Sequence, residues 1–237
     1  MIKYAISKNI KEEKMKNKLL TGLLGFFIVI LIITFSIGLP IYIRPFYYSQ
    51  IDSLGIEAYS GFDRETIIEA FDDVMDYLTV PGNEFGTGKL AYSESGKSHF
   101  EDCKVLFDLN LYAFIISAVS ITILLVLNKL GMFELWRPFG KSIAFSCGIY
   151  TLGGFATIGG LAAMDFSTAF TVFHMIFFPG KDNWHFDWNY DQIIRILPAN
   201  FFMNCAILIL VSILALSVIS IIYGIFDVKI KKIFKKS

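Results

Sequence analysis

Net charge is what this sequence lacks first: 21 lysines and arginines are balanced by 21 aspartates and glutamates. No whole-chain electrostatic case exists for binding nucleic acid. Cysteine is nearly absent as well. Cys103, Cys147 and Cys205 are odd in number and the last two lie in apolar runs, so no disulfide framework is implied. Without a CxxC pair or a Cys/His cluster there is no zinc signature, and neither a metal nor a cofactor is expected. The GxSxG, HExxH, Walker and dinucleotide fingerprints are all missing. So is any internal repeat, which weakens a transporter built from repeated halves. Histidine occurs only at positions 99, 174 and 185.

Apolar residues are what the chain has in quantity. They make up 55% of it, and the mean hydropathy is +0.59, which calls for lipid as solvent. Four runs have the length and character of membrane-spanning helices, at residues 19–43, 109–127, 142–164 and 201–226. The first is longer than the apolar region of a cleavable signal peptide, and IGLPIYIRPF offers no convincing cleavage site, so the span is expected to be retained. Gly148, Gly153, Gly154, Gly159 and Gly160 mark the third as a span packed in the middle of the bundle.

Charge is segregated along the chain, and that predicts orientation. Residues 1–18 carry six lysines against Glu12 and Glu13, the 128–141 loop holds Lys129, Arg137 and Lys141 against Glu134, and the 227–237 tail holds five lysines and one acid. The positive-inside rule puts these three on the cytoplasmic side. Residues 44–108 and 165–200 then lie together outside. The predicted architecture is an all-α membrane protein of four transmembrane helices. A small, mainly helical extracytoplasmic domain separates spans one and two, and an interfacial segment separates spans three and four.

In residues 44–108, Ser60-Gly61-Phe62-Asp63 reads as a capping pattern. The stripe Ile67, Ile68, Phe71, Val74, Met75 and Leu78 predicts a helix to about Leu78 that Pro81-Gly82 stops. A short strand at Lys89–Tyr92 follows. A second capping pattern, Ser98-His99-Phe100-Glu101, puts His99 in the first turn of the helix entering span two.

The stretch 169–202, AFTVFHMIFFPGKDNWHFDWNYDQIIRILPANFF, is too polar to cross a bilayer and too aromatic for a water-facing loop. Amphipathic aromatics collect at the membrane–water boundary. On this topology all three histidines share the outer face, and His99 and His174 fall near one boundary plane. A neutral imidazole there is suited to proton chemistry on a lipid-borne substrate. A lone histidine in FTVFHMIFF is more often structural, and the convergence of two is what carries weight. Asp102, three residues after His99, shares its helix face and is placed to orient its ring. A His-x-x-Asp pair alone is a poor metal site. Lys104 beside Cys103 is placed to acidify that thiol, which opens a Cys103/His174 nucleophilic pair as an alternative. His185, in a turn-like run, is the least compelling histidine.

Two of these stretches carry a resemblance. HFEDCKVL at 99–106 is similar to an H-x-x-D-V-K-x-L pattern. FHMIFFPGKDNWHFD at 173–187, with Asp191, Ile194, Leu197-Pro198 and Phe201-Phe202, is similar to F-H-x-x-F-F…N-W-x-F-D…D-x-x-I…L-P…F-F. Both patterns, and the four-span layout, resemble the lipoprotein intramolecular transacylase family of low-GC Gram-positive bacteria. Cys103 stands where that family usually has Val, which argues against a thiol nucleophile.

The resemblance implies an acyltransferase in the bacterial cell membrane. Its substrate would be a diacylglyceryl-cysteine lipoprotein, whose sn-2 acyl chain moves to its own N-terminal α-amine. It also implies His99 and His174 as the catalytic pair, with Asp102, Lys104, Trp184, Asp187 and Asp191 in support, and membrane lipid as the other partner. The alternatives that the residues leave open are a Cys/His lipid or lipoprotein hydrolase and a non-enzymatic assembly protein.

Overall fold

A computed structural model describes residues 2–234, with side chains from residue 9 to residue 227. The lysines at positions 3 and 8, and those of the tail beyond residue 228, therefore lie outside the described side chains. Among the described residues the chain is helical and contains no strand: α1 (Ile2–Tyr42), α2 (Pro45–Tyr48), α3 (Gln50–Ser53), α4 (Ile56–Ser60), α5 (Arg64–Thr79), α6 (Glu94–Lys129), α7 (Ile143–Met164), α8 (Phe166–Phe177), α9 (Ile193–Ile196) and α10 (Ala199–Phe234). Within α1, α6, α7 and α10 lie four segments long and apolar enough to cross a membrane. At 12 residues, α8 is too short to do so.

The chain divides into two compact units. One comprises Ile37–Leu111 and Ile158–Leu210; the other comprises the remaining described residues. In the latter, α7 meets α10 through glycine. A Cβ on Gly148 would stand 2.6 Å from the Ser217 carbonyl oxygen, and one on Gly224 would stand 2.6 Å from the Phe145 nitrogen. Only small residues permit such an approach. The expectation that α7 is central to a bundle is not met, however. Gly153 and Gly154 have open space where a side chain would be, and Tyr150 is 73% exposed.

The other unit holds the polar segments. Its core is built where the stripe of α5 buries Ile67, Ala70, Phe71, Val74, Met75 and Leu78 against α2, α3, α4 and α9. Tyr47 stacks on Phe71 at 3.8 Å and donates its hydroxyl proton to the Ile196 carbonyl at 2.8 Å, so the ring is buried without leaving its polar tip unpaired. The cap of α5 is Asp63, which accepts the Thr66 amide, and not Ser60. Ser60 closes α4 instead, where its hydroxyl accepts the Phe62 amide.

Lys89–Tyr92 is not a strand. Ala91 makes two bonds to one residue, donating its amide to the Gln192 side chain at 2.8 Å and accepting the Gln192 amide at 2.9 Å. These two bonds fasten the segment without starting a ladder. α6 also begins earlier than the Ser98 pattern predicts. Ser93 is the residue at its head, with its hydroxyl accepting the Gly96 amide at 3.0 Å, so His99 lies in the second turn.

Candidate active site

His99 is presented by α6 and His174 by α8, within the same unit, and their ring centroids are 5.8 Å apart. Each is 6% exposed. Phe178 packs against both, at 4.9 Å from His99 and 5.6 Å from His174. Phe186 closes the His99 side at 5.5 Å, while Phe170 and Trp184 flank His174 at 4.2 and 4.7 Å. The aromatic residues of the 169–202 stretch thus wall a buried site around two imidazoles.

The tautomer of His174 follows from its partner. Its Nδ1 is 2.8 Å from the Phe170 carbonyl oxygen, which can only accept, so Nδ1 carries the proton. In the neutral ring Nε2 is then left with a lone pair, which is what a general base needs. Burial holds this imidazole below its ordinary range, the Phe170 carbonyl opposes that, and nearby His185 adds to it. A base whose pKa lies below the ordinary value of about 6.5 stays neutral past that pH. Activity is therefore expected to hold as pH falls to about 6.5, and to drop about tenfold per unit only after pH passes below the depressed value. A kcat/KM profile measures it. Stability has the same sign: this group's contribution is intact above the unfolded pKa and is lost as pH falls through the folded one.

His99 is held differently. Its Nε2 is 3.4 Å from the Cys103 sulfur, one turn on, and its buried Nδ1 lacks a formed hydrogen bond. The side-chain oxygen of Asn183 is likewise buried and unbonded, and the Asn183 amide is a polar partner of the His99 ring. The two orphaned atoms are complementary when His99 Nδ1 carries the proton, an N–H and a carbonyl oxygen. The Asn183 nitrogen donates to Asp102 at 2.9 Å and lies 3.4 Å from the Ser98 hydroxyl. Asp102 therefore does not bond the His99 ring itself. It holds Asn183 with one oxygen and the Lys181 ammonium with the other. Sequence reading missed both Asn183 and Lys181. Asn183 is the Asn of the N-W-x-F-D pattern, whereas Lys181 carried no sequence signal beyond its position inside the 173–187 stretch.

The other expected support residues separate. Trp184 stacks near His174 and donates its indole N–H to the Lys181 carbonyl at 3.0 Å. Asp191 is 3% exposed and acts as a clamp: one oxygen accepts the Ser93 amide at 2.8 Å and the other accepts the Asp187 amide at 3.1 Å. The bond to Ser93 anchors the residue at the head of α6, so the carboxylate fixes the helix that carries His99. Gly96 makes room for it, since a Cβ there would stand 2.4 Å from the Asp191 oxygen. Asp187 shapes the turn, accepting the Asn189 amide at 2.8 Å. Lys104 points away from Cys103. Its ammonium bonds the Tyr77 carbonyl and lies 4.8 Å over the Tyr77 ring, tying α6 to α5. The thiol thus lacks the cation that was expected to activate it. The imidazole that it touches is His99 and not His174. His185 is exposed and stacks on Trp184 at 3.6 Å. No group of three or more His, Cys, Asp or Glu among the described residues is arranged to hold a metal ion.

The model of the lipoprotein intramolecular transacylase family, Lit, matches residues 22–202. This chain belongs to the Lit family. It is a multi-pass membrane acyltransferase of the lipoprotein-processing class. Solved structures agree. The membrane-integral Lit of Bacillus cereus matches with a TM-score of 0.82 and 25% identity, over 94% of this chain and 100% of that one. Two variants of the Bacillus cereus Lit, one with a histidine replaced by arginine and one with it replaced by alanine, match in fold. Each has a TM-score of 0.79 and 24% identity; they cover 96% and 95% of this chain and 98% and 99% of their own. Comparison with curated proteins finds no match. The Lit fold thus accounts for the all-helical architecture and the four apolar helices.

Proposed function

We propose that this Lit family member moves the sn-2 acyl chain of a diacylglyceryl-cysteine lipoprotein to that lipoprotein's own α-amine, with His174 as general base and His99 as its acid or electrostatic partner. The observation that carries the reading is the pair of buried imidazoles 5.8 Å apart, one of them with Nδ1 committed to a carbonyl and Nε2 free. The amine nitrogen bonds to the ester carbonyl carbon, and its proton passes to His174 Nε2. The carbon–oxygen bond to glycerol then breaks, and the glycerol oxygen takes a proton from the imidazolium. The product is the lyso form, N-acylated with one ester left. Such acid–base help is typically worth about 10²–10⁴-fold. Because amine and ester belong to one molecule, no acyl-enzyme is required, and alignment supplies the other large term.

We place the site at the outer leaflet. At about 1.5 Å per residue α6 is about 54 Å long, against about 30 Å of hydrocarbon, so roughly its first 15 residues project beyond the lipid core. That polar part, 94–108, carries His99. The basic 128–141 loop supports cytoplasmic placement of the opposite end and of both termini.

Mass spectrometry of lipoprotein N-termini from cells with and without this protein tests the reading. Lyso-form N-acyl termini are expected only with it, and an unchanged acyl pattern would remove the claim. Reporter fusions at Gly86 and Asp182 should report the outside and one at Glu134 the inside; a cytosolic signal at Gly86 would reverse the orientation.

A further inference from the structure

We infer that Lys181 occupies, within the resting protein, the place that the substrate's own α-ammonium takes on Asp102, so that binding exchanges one primary ammonium for another. The inference rests on the transacylase reading and names how that site recognises its nucleophile.

The argument starts from Asp102. It is three residues from His99 on α6 and shares its helix face. Its carboxylate is the anion that acts electrostatically on the His99 ring. One carboxylate oxygen is engaged by Asn183 at 2.9 Å. The other is held by the Lys181 ammonium, a primary amine cation on a flexible stem. The two ends of this ion pair differ in burial: the Lys181 side chain is 48% exposed, whereas that of Asp102 is 20% exposed. The carboxylate is fixed and the ammonium is loosely tethered. The half-exposed ammonium is therefore the end of the pair that exchanges with solvent or with another cation.

A lipoprotein with a free N-terminus presents the same chemical group, with a pKa of about 7.7–8.0, and arrives protonated at neutral pH. It can replace Lys181 on the Asp102 oxygen without leaving a carboxylate unpaired in a half-buried site, which would be costly. Asn183 keeps the carboxylate from rotating during the exchange. Held one helical turn from His99, whose ring lies 5.8 Å from that of His174, the ammonium can give its proton to a neutral imidazole and expose its lone pair to the ester. Asp102 is then a substrate-binding residue. An N-terminus already acylated carries no cation and would not displace Lys181, so the exchange also separates substrate from product.

Steady-state kinetics of the purified full-length protein on a synthetic diacylglyceryl-cysteine lipopeptide test this with three variants. Lys181→Met removes the competitor, and KM is expected to fall about two- to fivefold with kcat within about twofold. Lys181→Arg keeps the pair and strengthens it through a two-pronged contact, so KM is expected to rise above that of the unaltered protein. Asp102→Asn should raise KM by about tenfold or more. If the pair were only a structural tie, Lys181→Met would lose activity and Lys181→Arg would restore it. That result, or an unchanged KM in both lysine variants, overturns the inference. Absence of any amine-directed transfer in the unaltered protein would instead overturn the parent reading, and this inference with it.

Discussion

Replacing His174 with alanine should lower kcat by about 10²–10⁴-fold while the protein still inserts and folds. The variant removes the Nε2 lone pair that the Phe170 carbonyl fixes by holding the opposite nitrogen. It also leaves that carbonyl, within α8, with its backbone role only. His99→Ala should show a loss of similar order, for a different reason. It takes away the ring between Phe178, Phe186 and Asn183 to which the proposed mechanism assigns the developing charge. Because the two rings are assigned to one proton-transfer sequence, the double variant should be little worse than the worse single variant. Multiplicative losses would mean that the two imidazoles act in separate steps. Near-normal activity in both single variants would remove the pair from the chemistry. The readout is product formation on a defined lipopeptide, with membrane yield and elution profile as the control for insertion.

The second large effect is structural. Asp191→Ala should destabilise the protein by about 3 kcal/mol, since two amides bonded to a buried carboxylate lose their acceptor and hydrogen bonds to charged groups are each worth about 1.5–3 kcal/mol. Those amides belong to Ser93 and Asp187. Loss of the first frees the residue at the head of α6 and lets the turn that carries His99 shift, so activity should fall with stability. Asp191→Asn keeps an acceptor and should recover part of both. Gly96→Val approaches the same clamp from the other side, because its side chain would collide with the Asp191 carboxylate. Thermal unfolding in detergent, together with activity at a temperature where both variants remain folded, measures the two effects separately. An Asp191→Ala protein that melts with the unaltered one would show that the clamp is dispensable.

Much of the fold was legible because bilayer thickness imposes a coarse rule on sequence: about 20 apolar residues per crossing. The apolar runs at 19–43, 109–127, 142–164 and 201–226 therefore stand out whatever their packing. Helical periodicity likewise gave α5, since one apolar stripe faces one core. The meeting of His99 and His174 was legible through topology, as each lies just beyond the same end of a span. What sequence hid were bonds between side chains distant along the chain. Ser93 heads α6 with its own hydroxyl on the Gly96 amide, and the carboxylate at position 191 that takes the Ser93 amide is recorded by no local pattern around residue 93. The Ser98 pattern, with Glu101 three residues later, is the stronger local signal, yet it lies inside the helix. Lys89–Tyr92 looked like a strand because it is a short run between glycines. The two bonds that Ala91 makes go to a single residue, Gln192, and Leu90 bonds back to Thr87, so no ladder forms. Asn183 was passed over because its bond to Asp102 joins positions far apart in the chain. Spacing along α6 brings Asp102 near His99, but Asn183 takes the carboxylate first. The glycines of α7 show the limit of composition: Gly148 and Gly159 meet neighbours, whereas Gly153, Gly154 and Gly160 meet none.

The most direct measurement of the central claim is the mass of the product made by purified protein from one pure diacylglyceryl-cysteine lipopeptide. Intramolecular transfer by an imidazole pair conserves every atom. The parent mass should be unchanged, and fragmentation should now place one acyl chain on the α-amine, with Cys103→Ser doing the same. Release of free fatty acid with a gain of water, abolished by Cys103→Ser, would contradict the account and install the thiol as nucleophile.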